Sequence, residues 1–455
     1  MDPANARPGA VAAMQTKQEE LRRRLAALGF DVVRFARVGA VPGAALDDWL
    51  ARGFQADMAW MERTAAKRLN PELLLPGVRS VIMLGVNYWA GPETPASGAC
   101  GAPIASTGGM PVSETCAVKT KERESEQRRQ PSRAGDPVWA RYAVYEDYHD
   151  TIKPALVAAG RVLEELYGAR GCDYRYCVDA GPVLERGWAE RAGVGFLGRN
   201  GMLISREFGN WLLLSGILTC VELETDEPLR APPVRTGAES RVGLLCGKCS
   251  RCIAACPTNA IPEPGLVDAR RCISYQTIEN KGVIPRELRA EIGHHIFGCD
   301  LCLEVCPWNR FAQAGRGMIL AARYEIKELT LGELLELAPA QFAAVFRGTP
   351  IKRLKLAGLL RNACVVVGNV AAAAGAEHGL VAPLLRLAAH PVPIVRAHAV
   401  WAICRIAGAD APVLLATVRK NESDPAVIAE YASEAQPQTA STAAACRRTA
   451  RPSAP

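Results

Sequence analysis

The sequence predicts an α+β protein in three parts: a sheet domain, a small cysteine-rich domain and a region of helical repeats. Apolar strand patterns alternate with amphipathic helices before residue 240, and eight cysteines fall between residues 241 and 325. Helical segments of similar sequence recur after residue 326. A chain of 455 residues is long enough for several domains. The mixture of patterns is typical of α+β folds.

The sheet domain is expected to span residues 17–240. Its first helix is predicted at Glu19–Leu28, where leucines recur at helical spacing. A short apolar run at Arg79–Gly85, bounded by turn residues, predicts a buried strand. The other predicted elements are a strand at Trp139–Tyr145, a helix at Ile152–Tyr167, and strands at Tyr174–Val178 and Trp211–Thr219.

Three segments are expected to be disordered: residues 1–16, 93–137 and 436–455. The middle segment has almost no large apolar residues and changes from Gly, Ser, Thr and Pro to a run of charged residues. Such a segment cannot bury enough apolar surface to offset the entropy of ordering. We therefore expect an inserted surface loop at 93–137 and loose tails at both ends.

The cysteine-rich domain, residues 241–325, contains two runs of closely spaced thiols. The first, Cys246-x2-Cys249-x2-Cys252-x3-Cys256-Pro257, has the spacing of bacterial ferredoxins, in which three cysteines bind one four-iron cluster and the fourth crosses to another. The spacing therefore predicts a ferredoxin-like domain with two 4Fe-4S clusters. The first cluster would be bound by Cys246, Cys249, Cys252 and Cys306, and the second by Cys256, Cys272, Cys299 and Cys302.

Zinc and disulfide bonds are the alternative uses of these cysteines. A zinc ribbon takes four tetrahedral ligands and leaves the other four cysteines without a role. Disulfide scaffolds are typical of short secreted chains, whereas the segment Met1–Gln18 shows no apolar export signal. No uncharged apolar stretch reaches the length of a transmembrane helix. We expect a cytoplasmic protein with reduced cysteines and no membrane association.

Residues 326–435 are predicted to form HEAT-like helical repeats. Leu359–Asn369 resembles Val395–Cys404, roughly 35 residues later, and Asp424–Tyr431 is predicted to begin a third copy. Similar helical units at such a period are typical of solenoids. The thiol of Cys364 and the ring of His398 fall at core positions of these repeats, so packing is favoured over metal binding for both.

The start of the helical region is basic. Residues 347–361 carry five cations and no acid, although the whole chain has only a mild net charge of +7. A charge run of this kind is usually a solvated helix face, but it can also bind the phosphates of a nucleic acid. The candidate phosphate contacts are Lys352, Arg353 and Lys355.

Two loops of the sheet domain carry polar side chains. Asp179 follows a predicted strand, a position where side chains often face a cleft, although aspartate before Gly-Pro is also a common turn residue. Asn200, Gly201 and Met202 lie in a short segment that either approaches a ligand closely or forms an ordinary Asn-Gly hairpin turn. Neither loop identifies a substrate.

Four motifs, taken in order, resemble the epoxyqueuosine reductase family. They are Asp179-Ala-Gly-Pro-Val-Leu-Glu-Arg186, the run Cys246–Pro257, Arg271-Cys-Ile-Ser-Tyr-Gln-Thr-Ile-Glu-Asn-Lys-Gly282, and Phe297-Gly-Cys-Asp-Leu-Cys-Leu-Glu-Val-Cys-Pro-Trp-Asn309. The resemblance covers residues 17–92 and 137–435. The insertion and the extended segment 222–241 depart from the family pattern.

The resemblance implies a cobalamin-dependent oxidoreductase that reduces epoxyqueuosine to queuosine at the wobble position of tRNA, the last step of queuosine biosynthesis. It also implies that the cobalamin-binding sheet domain has a nitroreductase-like fold. Removing the epoxide oxygen takes two electrons, which low-potential clusters deliver singly and a cobalt centre can hold. By the same resemblance Asp179 is the proton donor, a role that needs a carboxylic acid still protonated near neutral pH.

The resemblance extends to other site residues and to partners. The residues that resemble cobalamin contacts are Arg68, Tyr142, Asn200, Gly201 and Met202, and Lys281 resembles a contact to cofactor or tRNA. The implied partners are the tRNAs for Tyr, His, Asp and Asn and an external low-potential electron donor. We expect the enzyme to act as a monomer.

Two other classes share part of this pattern. A reductive dehalogenase also uses cobalamin and two clusters, but that family resembles this chain only around the cysteines and normally carries an export signal. A pure electron carrier with a helical interaction module would bind no corrin. Bound cobalamin would exclude the carrier, and dependence on tRNA would exclude the dehalogenase.

Overall fold

The computed structural model describes residues 8–39, 44–91, 135–229, 242–374 and 378–432. The tail predicted at 436–455 and nearly all of the insertion predicted at 93–137 lie outside these ranges. At the other end, a helix covers Pro8–Ala27, so the prediction of a disordered tail is wrong for residues 8–16. Proline suits the first turn of a helix, and the Ala-rich stretch after it has high helix propensity.

The first part of the chain combines short helices with strands. Its elements are α1 (Pro8–Ala27), β1 (Val32–Arg37), α2 (Ala44–Ala51), α3 (Ala59–Arg63), α4 (Ala65–Leu69), β2 (Ser80–Asn87), β3 (Val138–Trp139), α5 (Tyr148–Tyr167), β4 (Tyr174–Cys177), α6 (Glu185–Arg191), β5 (Phe196–Leu197), β6 (Leu203–Ile204) and β7 (Leu212–Thr219). The strands predicted around residues 82, 176 and 215 and the helix predicted after residue 152 are confirmed, the helix starting one turn earlier.

Four of the strands form an antiparallel sheet in the order β1-β2-β7-β4. All eight residues of β2 are buried, because helices cover both faces of the sheet. Leu25 of α1 and Leu156 of α5 pack on one face, and Trp188 of α6 packs on the other. A central strand covered on both sides reads as a nearly continuous apolar run, which explains its sequence. The mixed α+β fold is confirmed.

The strand predicted at Trp139–Tyr145 is wrong after its first residue. β3 contains only Val138–Trp139, and a 3-10 turn follows at Arg141–Val144. β3 pairs in parallel with residues 295–297, and Ala140 makes the last backbone bond of that pairing, to Phe297. The amide of Arg141 instead donates to Asp300 Oδ2 at 2.7 Å, which turns the chain out of the strand path.

The cysteine-rich domain consists of short elements between the cysteine runs. They are α7 (Arg251–Ala254), α8 (Ile273–Ile278), α9 (Arg286–Ile292), β8 (His295–Phe297) and α10 (Leu301–Glu304). α7 and α10 each begin within a cysteine run, so the helical turn sets the spacing of the thiols. The pairing of β3 with β8 ties this domain to the sheet domain.

The helical region begins after Thr330, whose side chain forms a capping box with Glu333. Its helices are α11 (Leu331–Leu335), α12 (Pro339–Val345), α13 (Lys355–Ala374), α14 (Val381–Leu387), α15 (Pro393–Ala407), α16 (Ala411–Lys420) and α17 (Pro425–Ala432). The two predicted repeat segments lie in α13 and α15. Cys364 and His398 are fully buried, as expected for core positions. The HEAT-like class itself stays a prediction.

The helical region and the cysteine-rich domain share one apolar core. A buried ion pair crosses between them, since Arg289 of α9 lies 2.6 Å from Glu430 of α17. Nε2 of the His398 ring also accepts a hydrogen bond from the amide of Ile284 at 3.1 Å. The predicted boundary near residue 325 therefore does not divide two separate cores.

Two segments have the length and hydropathy of a membrane span, Pro350–Ala371 and Pro393–Lys420. The first is 78% buried within the protein. The second is interrupted at Gly408, where α15 ends and a short 3-10 segment leads into α16. Core helices of soluble proteins have the same composition, so these segments are weak evidence for a membrane.

Candidate active site and cluster sites

The eight predicted cluster ligands gather into two groups in the structure. One group has Cys249, Cys252 and Cys306 around Cys246. A second group has Cys256, Cys272 and Cys299 around Cys302. These are the two sets of four that the ferredoxin spacing predicts, including the crossing of Cys256 and Cys306 between the runs.

The thiols of the second group are partly buried. Burial, followed by the neighbouring groups, raises the pKa of Cys272 to about 11 and that of Cys299 to about 12. Thiols of this kind bind metal only by losing their protons, and the metal charge then offsets the cost of burial. Among the described residues, no three His, Cys, Asp or Glu side chains form a site for a single metal ion. Two sets of four cysteines match two four-iron clusters, whose irons each take one thiolate.

Asp179 lies on an exposed loop directly after β4. Its backbone has φ +51, a left-handed conformation that aspartate adopts more readily than most residues. The side chain is 66% exposed. Tyr148 of α5 donates a hydrogen bond of 2.5 Å to Asp179 Oδ2, and His149 Nε2 lies 3.9 Å from the same oxygen. The carboxyl group is thus held from one side and open on the other.

Arg68 and Glu185 lie beside this loop. Arg68 is buried and donates to Thr64 Oγ1 at 3.0 Å and to the carbonyl of Val183 at 3.3 Å. Burial lowers the pKa of Arg68, while Glu185 and Asp179 act in the opposite direction. Burial also raises the pKa of Glu185 to about 8, and the Asp179 charge adds to this effect. Glu185 therefore carries a proton at neutral pH.

Tyr142 connects Asp179 with the second cysteine group. Its ring makes an edge contact with Tyr148, with centroids 6.0 Å apart. Burial raises its pKa, and the charges of Asp300 and Asp179 raise it further, so Tyr142 lies within electrostatic reach of both. Asp300 adjoins Cys299 in sequence. Asp179 and the second cysteine group therefore border the same part of the molecule.

The predicted turn at Asn200 joins β5 and β6 in an antiparallel hairpin. Gly201 has φ +74, as an Asn-Gly turn requires. The side-chain amide of Asn200 is buried and donates to Asn210 Oδ1 at 3.0 Å and to the carbonyl of Cys302 at 3.4 Å. The amide of Met202 donates to Asn200 Oδ1 at 3.1 Å. The segment is an ordinary hairpin turn that also borders the second cysteine group.

Lys281 and the basic stretch lie close together. Lys281 Nζ donates to the carbonyl of Ile278 at 2.7 Å, and burial lowers its pKa. The charge of Lys355 contributes to the same shift, which places the two ammonium groups near each other. Lys352 and Lys355 are exposed. These three lysines form a cationic surface.

Two arginines of the basic stretch have other roles. Arg361 is fully buried and donates to the carbonyls of Gln276, Asn280 and Gly282, so its inclusion in a surface charge run was wrong. Arg353 is half exposed and pairs with Asp147 at 2.6 Å. Long side chains from one continuous sequence can point in opposite directions, which charge counting does not detect.

The comparisons with known proteins place this chain in a family. A protein named epoxyqueuosine reductase from Synechococcus sp. (strain RCC307) is 36% identical over 342 residues, covering 74% of this chain and 88% of the relative. The chain belongs to the epoxyqueuosine reductase family. Epoxyqueuosine reductases from Burkholderia pseudomallei and Vibrio cholerae are 36% and 35% identical over 79% and 75% of this chain, covering 85% and 80% of their own lengths. The protein is therefore an oxidoreductase.

Family descriptions match two segments. Residues 115–180 match "Epoxyqueuosine reductase QueG, DUF1730", and residues 245–309 match "4Fe-4S double cluster binding domain". A crystal structure of an epoxyqueuosine reductase with an epoxyqueuosine-modified tRNA-Tyr stem loop is similar at 25% identity and a TM-score of 0.72, covering 92% of this chain and 98% of that one. The fold of this chain is therefore similar to that of the solved epoxyqueuosine reductase over 92% of its length.

Sequence reasoning missed three residues around Asp179. Tyr148 and His149 contact it or lie close to it, and Glu185 adjoins it electrostatically. Glu185 lies in the family motif Asp179–Arg186, but no role was predicted for its side chain. Tyr148 and His149 lie 31 and 30 positions before Asp179 at the start of a helix, where the adjacent Tyr-His pair after a capping aspartate was the available signal.

Proposed function

We propose that this protein reduces epoxyqueuosine to queuosine at the wobble position of tRNA, using cobalamin and two 4Fe-4S clusters. One observation carries the proposal: Tyr142 contacts Tyr148, which donates to Asp179, and Tyr142 and Cys299 pack against the same core, so the proposed acid and the second cysteine group border one site. The names of the relatives, and the tRNA stem loop bound to one solved relative, support the substrate.

The reaction removes the epoxide oxygen as water and leaves a carbon–carbon double bond, which takes two electrons and two protons. Cobalamin would contribute a cobalt centre that can hold the electrons, and the clusters would deliver them one at a time. Asp179 would donate a proton to the departing oxygen, because a general acid avoids the release of an alkoxide. Tyr148 donates to Oδ2 of Asp179 and so fixes the orientation of the carboxyl group.

The residues around Asp179 fit a corrin. Arg68, Tyr142 and the turn at residues 200–202 border the loop or the second cysteine group, as described above. Glu185 Oε1 is buried and has no hydrogen-bond partner in the described part of the chain. The amide side chains at the rim of a corrin are groups that could pair with it. We propose that these residues bind cobalamin.

We propose that the cationic surface of Lys281, Lys352 and Lys355 binds tRNA, including the tRNAs for Tyr, His, Asp and Asn. Phosphate contacts to lysine side chains are a common source of affinity for nucleic acid. Arg353 is part of this proposal only if phosphate replaces Asp147 as its partner. We further propose a cytoplasmic monomer that receives electrons from an external low-potential donor.

The test is an anaerobic assay of the reconstituted protein with cobalamin, a strong reductant and epoxyqueuosine-containing tRNA. Mass spectrometry of the digested nucleosides detects loss of one oxygen. Wild type should convert the substrate, Asp179→Asn should not, and the exposed control Asp410→Asn should behave as wild type. Conversion by Asp179→Asn would keep the reductase and remove Asp179 as its acid. No conversion, with cobalamin unbound and both clusters present, would instead support the electron carrier.

A further inference from the structure

A hydrogen-bonded network reaches Asp179 from the start of α5. Asp147 caps this helix, and its Oδ1 lies 3.0 Å from His149 Nδ1. On the other side of the ring, His149 Nε2 lies 3.1 Å from Arg353 Nη1 and 3.9 Å from Asp179 Oδ2. Tyr148 packs against the His149 ring with centroids 4.1 Å apart and donates to Asp179.

We propose that His149 returns a proton to Asp179 after each turnover. This inference rests on the proposed function, in which Asp179 gives up a proton to the departing oxygen. In the return step the Nε2–H bond of the imidazolium breaks and an O–H bond forms on the Asp179 carboxylate. The neutral ring then takes its next proton from water, since 15% of the His149 side chain is exposed. His149 acts through Asp179 and is therefore a positioning residue.

Asp147 determines which ring nitrogen exchanges the proton. Burial works to raise the pKa of Asp147, but hydrogen bonds from His149 and the charge of Arg353 outweigh it and lower that pKa. The carboxylate thus stays charged and holds the proton on His149 Nδ1. It also stabilises the imidazolium when Nε2 gains a proton, as a carboxylate does beside a catalytic histidine. Nε2 is the nitrogen left to exchange.

Arg353 distinguishes the two protonation states of the ring. A guanidinium can only donate, so the 3.1 Å contact requires His149 Nε2 to accept and the ring to be neutral. When Nε2 is protonated it loses that contact, because it is then a donor and needs a hydrogen-bond acceptor. The nearby acceptor is Asp179 Oδ2, 3.9 Å away. A small rotation of the ring therefore moves the proton toward Asp179.

The other groups near Asp179 are weaker proton sources. Burial and the Asp179 charge raise the pKa of Tyr148, and burial does the same for Tyr142, so both phenols stay neutral. Arg68 is a permanent cation. Glu185 titrates near pH 8, but no hydrogen bond joins it to Asp179 within the described ranges. Histidine is the group whose ordinary pKa lies near neutrality.

The experiment compares single and repeated turnover in the complete enzyme. His149→Gln keeps a polar side chain but cannot carry a proton as imidazolium. We expect one equivalent of substrate to be converted at the wild-type rate, whereas kcat in repeated turnover falls at least tenfold. Imidazole in the buffer should restore kcat. His390→Gln, outside this network, is the matched control and should leave both rates unchanged.

Three kinetic results would overturn the proposal: equal losses in single and repeated turnover without imidazole rescue, an unchanged kcat, or a loss of repeated turnover in Glu185→Gln but not in His149→Gln. A second readout does not need activity. The chain has six histidines, so the ring signals of His149 can be assigned by their loss from the NMR spectrum of His149→Gln. Asp179→Asn should move those ring signals, because the two side chains are neighbours. Moved signals without any conversion by wild type would contradict the proposed function and support the coupling between His149 and Asp179, whereas unmoved signals would overturn the coupling.

Discussion

The side-chain amide of Asn200 donates to the carbonyl oxygen of Cys302 across 3.4 Å. A turn of the sheet domain thereby touches the backbone of a proposed cluster ligand. The same amide nitrogen donates to Asn210 Oδ1. Asn210 Nδ2 in turn donates to Asn309 Oδ1 at 3.1 Å. A short chain of side-chain amides therefore connects the proposed cobalamin side with the proposed cluster side.

Asn200→Ala should destabilise this connection. The substitution removes both hydrogen bonds of the Asn200 amide nitrogen and leaves Asn210 Oδ1 buried without its partner, which typically costs about 1–3 kcal/mol. We expect a lower free energy of unfolding in denaturant titrations and weaker retention of cobalamin. The exposed control Asn421→Ala should change neither quantity. Equal stability of both variants would show that the amide chain contributes nothing.

Cys272→Ser should remove one cluster. A serine oxygen is a poor substitute for a thiolate on iron, so iron should fall from about eight to about four atoms per chain. The matched control is Cys364→Ser in α13, a fully buried cysteine outside both groups, which should keep all the iron. Iron analysis with electron paramagnetic resonance of the reduced protein measures both. Full iron content in Cys272→Ser would refute its assignment.

Glu430→Gln should strongly destabilise the protein. Arg289 and Glu430 are 1% and 5% exposed, and breaking a buried pair by removing one charge typically costs about 3–5 kcal/mol. Glu336→Gln breaks the pair between Glu336 and Arg386 on the surface, which is worth no more than about 1 kcal/mol. Thermal unfolding of the two variants gives the comparison. Similar melting temperatures would contradict the role of the buried pair.

Glu185 should make stability depend on pH. Its pKa is about 8 in the folded protein against an ordinary value of 4.5, so between these values the folded state keeps a proton that the unfolded chain has lost. The free energy of unfolding therefore falls as the pH rises through this window. Glu185→Gln, which cannot ionise, should melt near wild type at pH 5 and above it at pH 8.

The control for this pH effect is Glu62→Gln, a substitution at an exposed glutamate of α3. The difference in melting temperature between Glu62→Gln and wild type should be the same at pH 5 and at pH 8. Cobalamin-free protein is the sample, because a bound corrin would change the surroundings of Glu185. If the difference in melting temperature between Glu185→Gln and wild type is also the same at pH 5 and pH 8, the raised pKa of Glu185 is contradicted.

The double substitution Lys352→Ala and Lys355→Ala should weaken binding of a tRNA anticodon stem loop. Each lost phosphate contact should reduce the slope of log affinity against log salt by about 0.7–0.9. Adding Arg353→Ala should lower stability as well, since Arg353 also pairs with Asp147. Lys153→Ala with Lys420→Ala is the matched control of two exposed lysines elsewhere. An unchanged salt slope in the Lys352 and Lys355 variant would reject this surface.

The predictions that rested on local patterns agree best with the structure. Apolar periodicity predicted β2 and α5, because each element is specified by residues close in sequence. The strand predicted at Trp139–Tyr145 was wrong because its length depends on a partner, β8, that is only three residues long. The prediction of a disordered tail at 1–16 was wrong for residues 8–16 because their Ala-rich sequence has high helix propensity.

The sequence by itself determined the thiol chemistry, since the spacing of Cys246 to Cys256 and of Cys299 to Cys306 places ligands on single turns of chain. The motif Asp179–Arg186 also indicated Asp179 as the candidate proton donor, by its resemblance to the family. Only the tertiary structure decided that Arg361 is buried. It also decided that His149 lies between Asp179 and Arg353, although His149 and Arg353 are 204 positions apart in the chain. Such contacts depend on how distant elements pack, and that information is not present in the local spacing of residues.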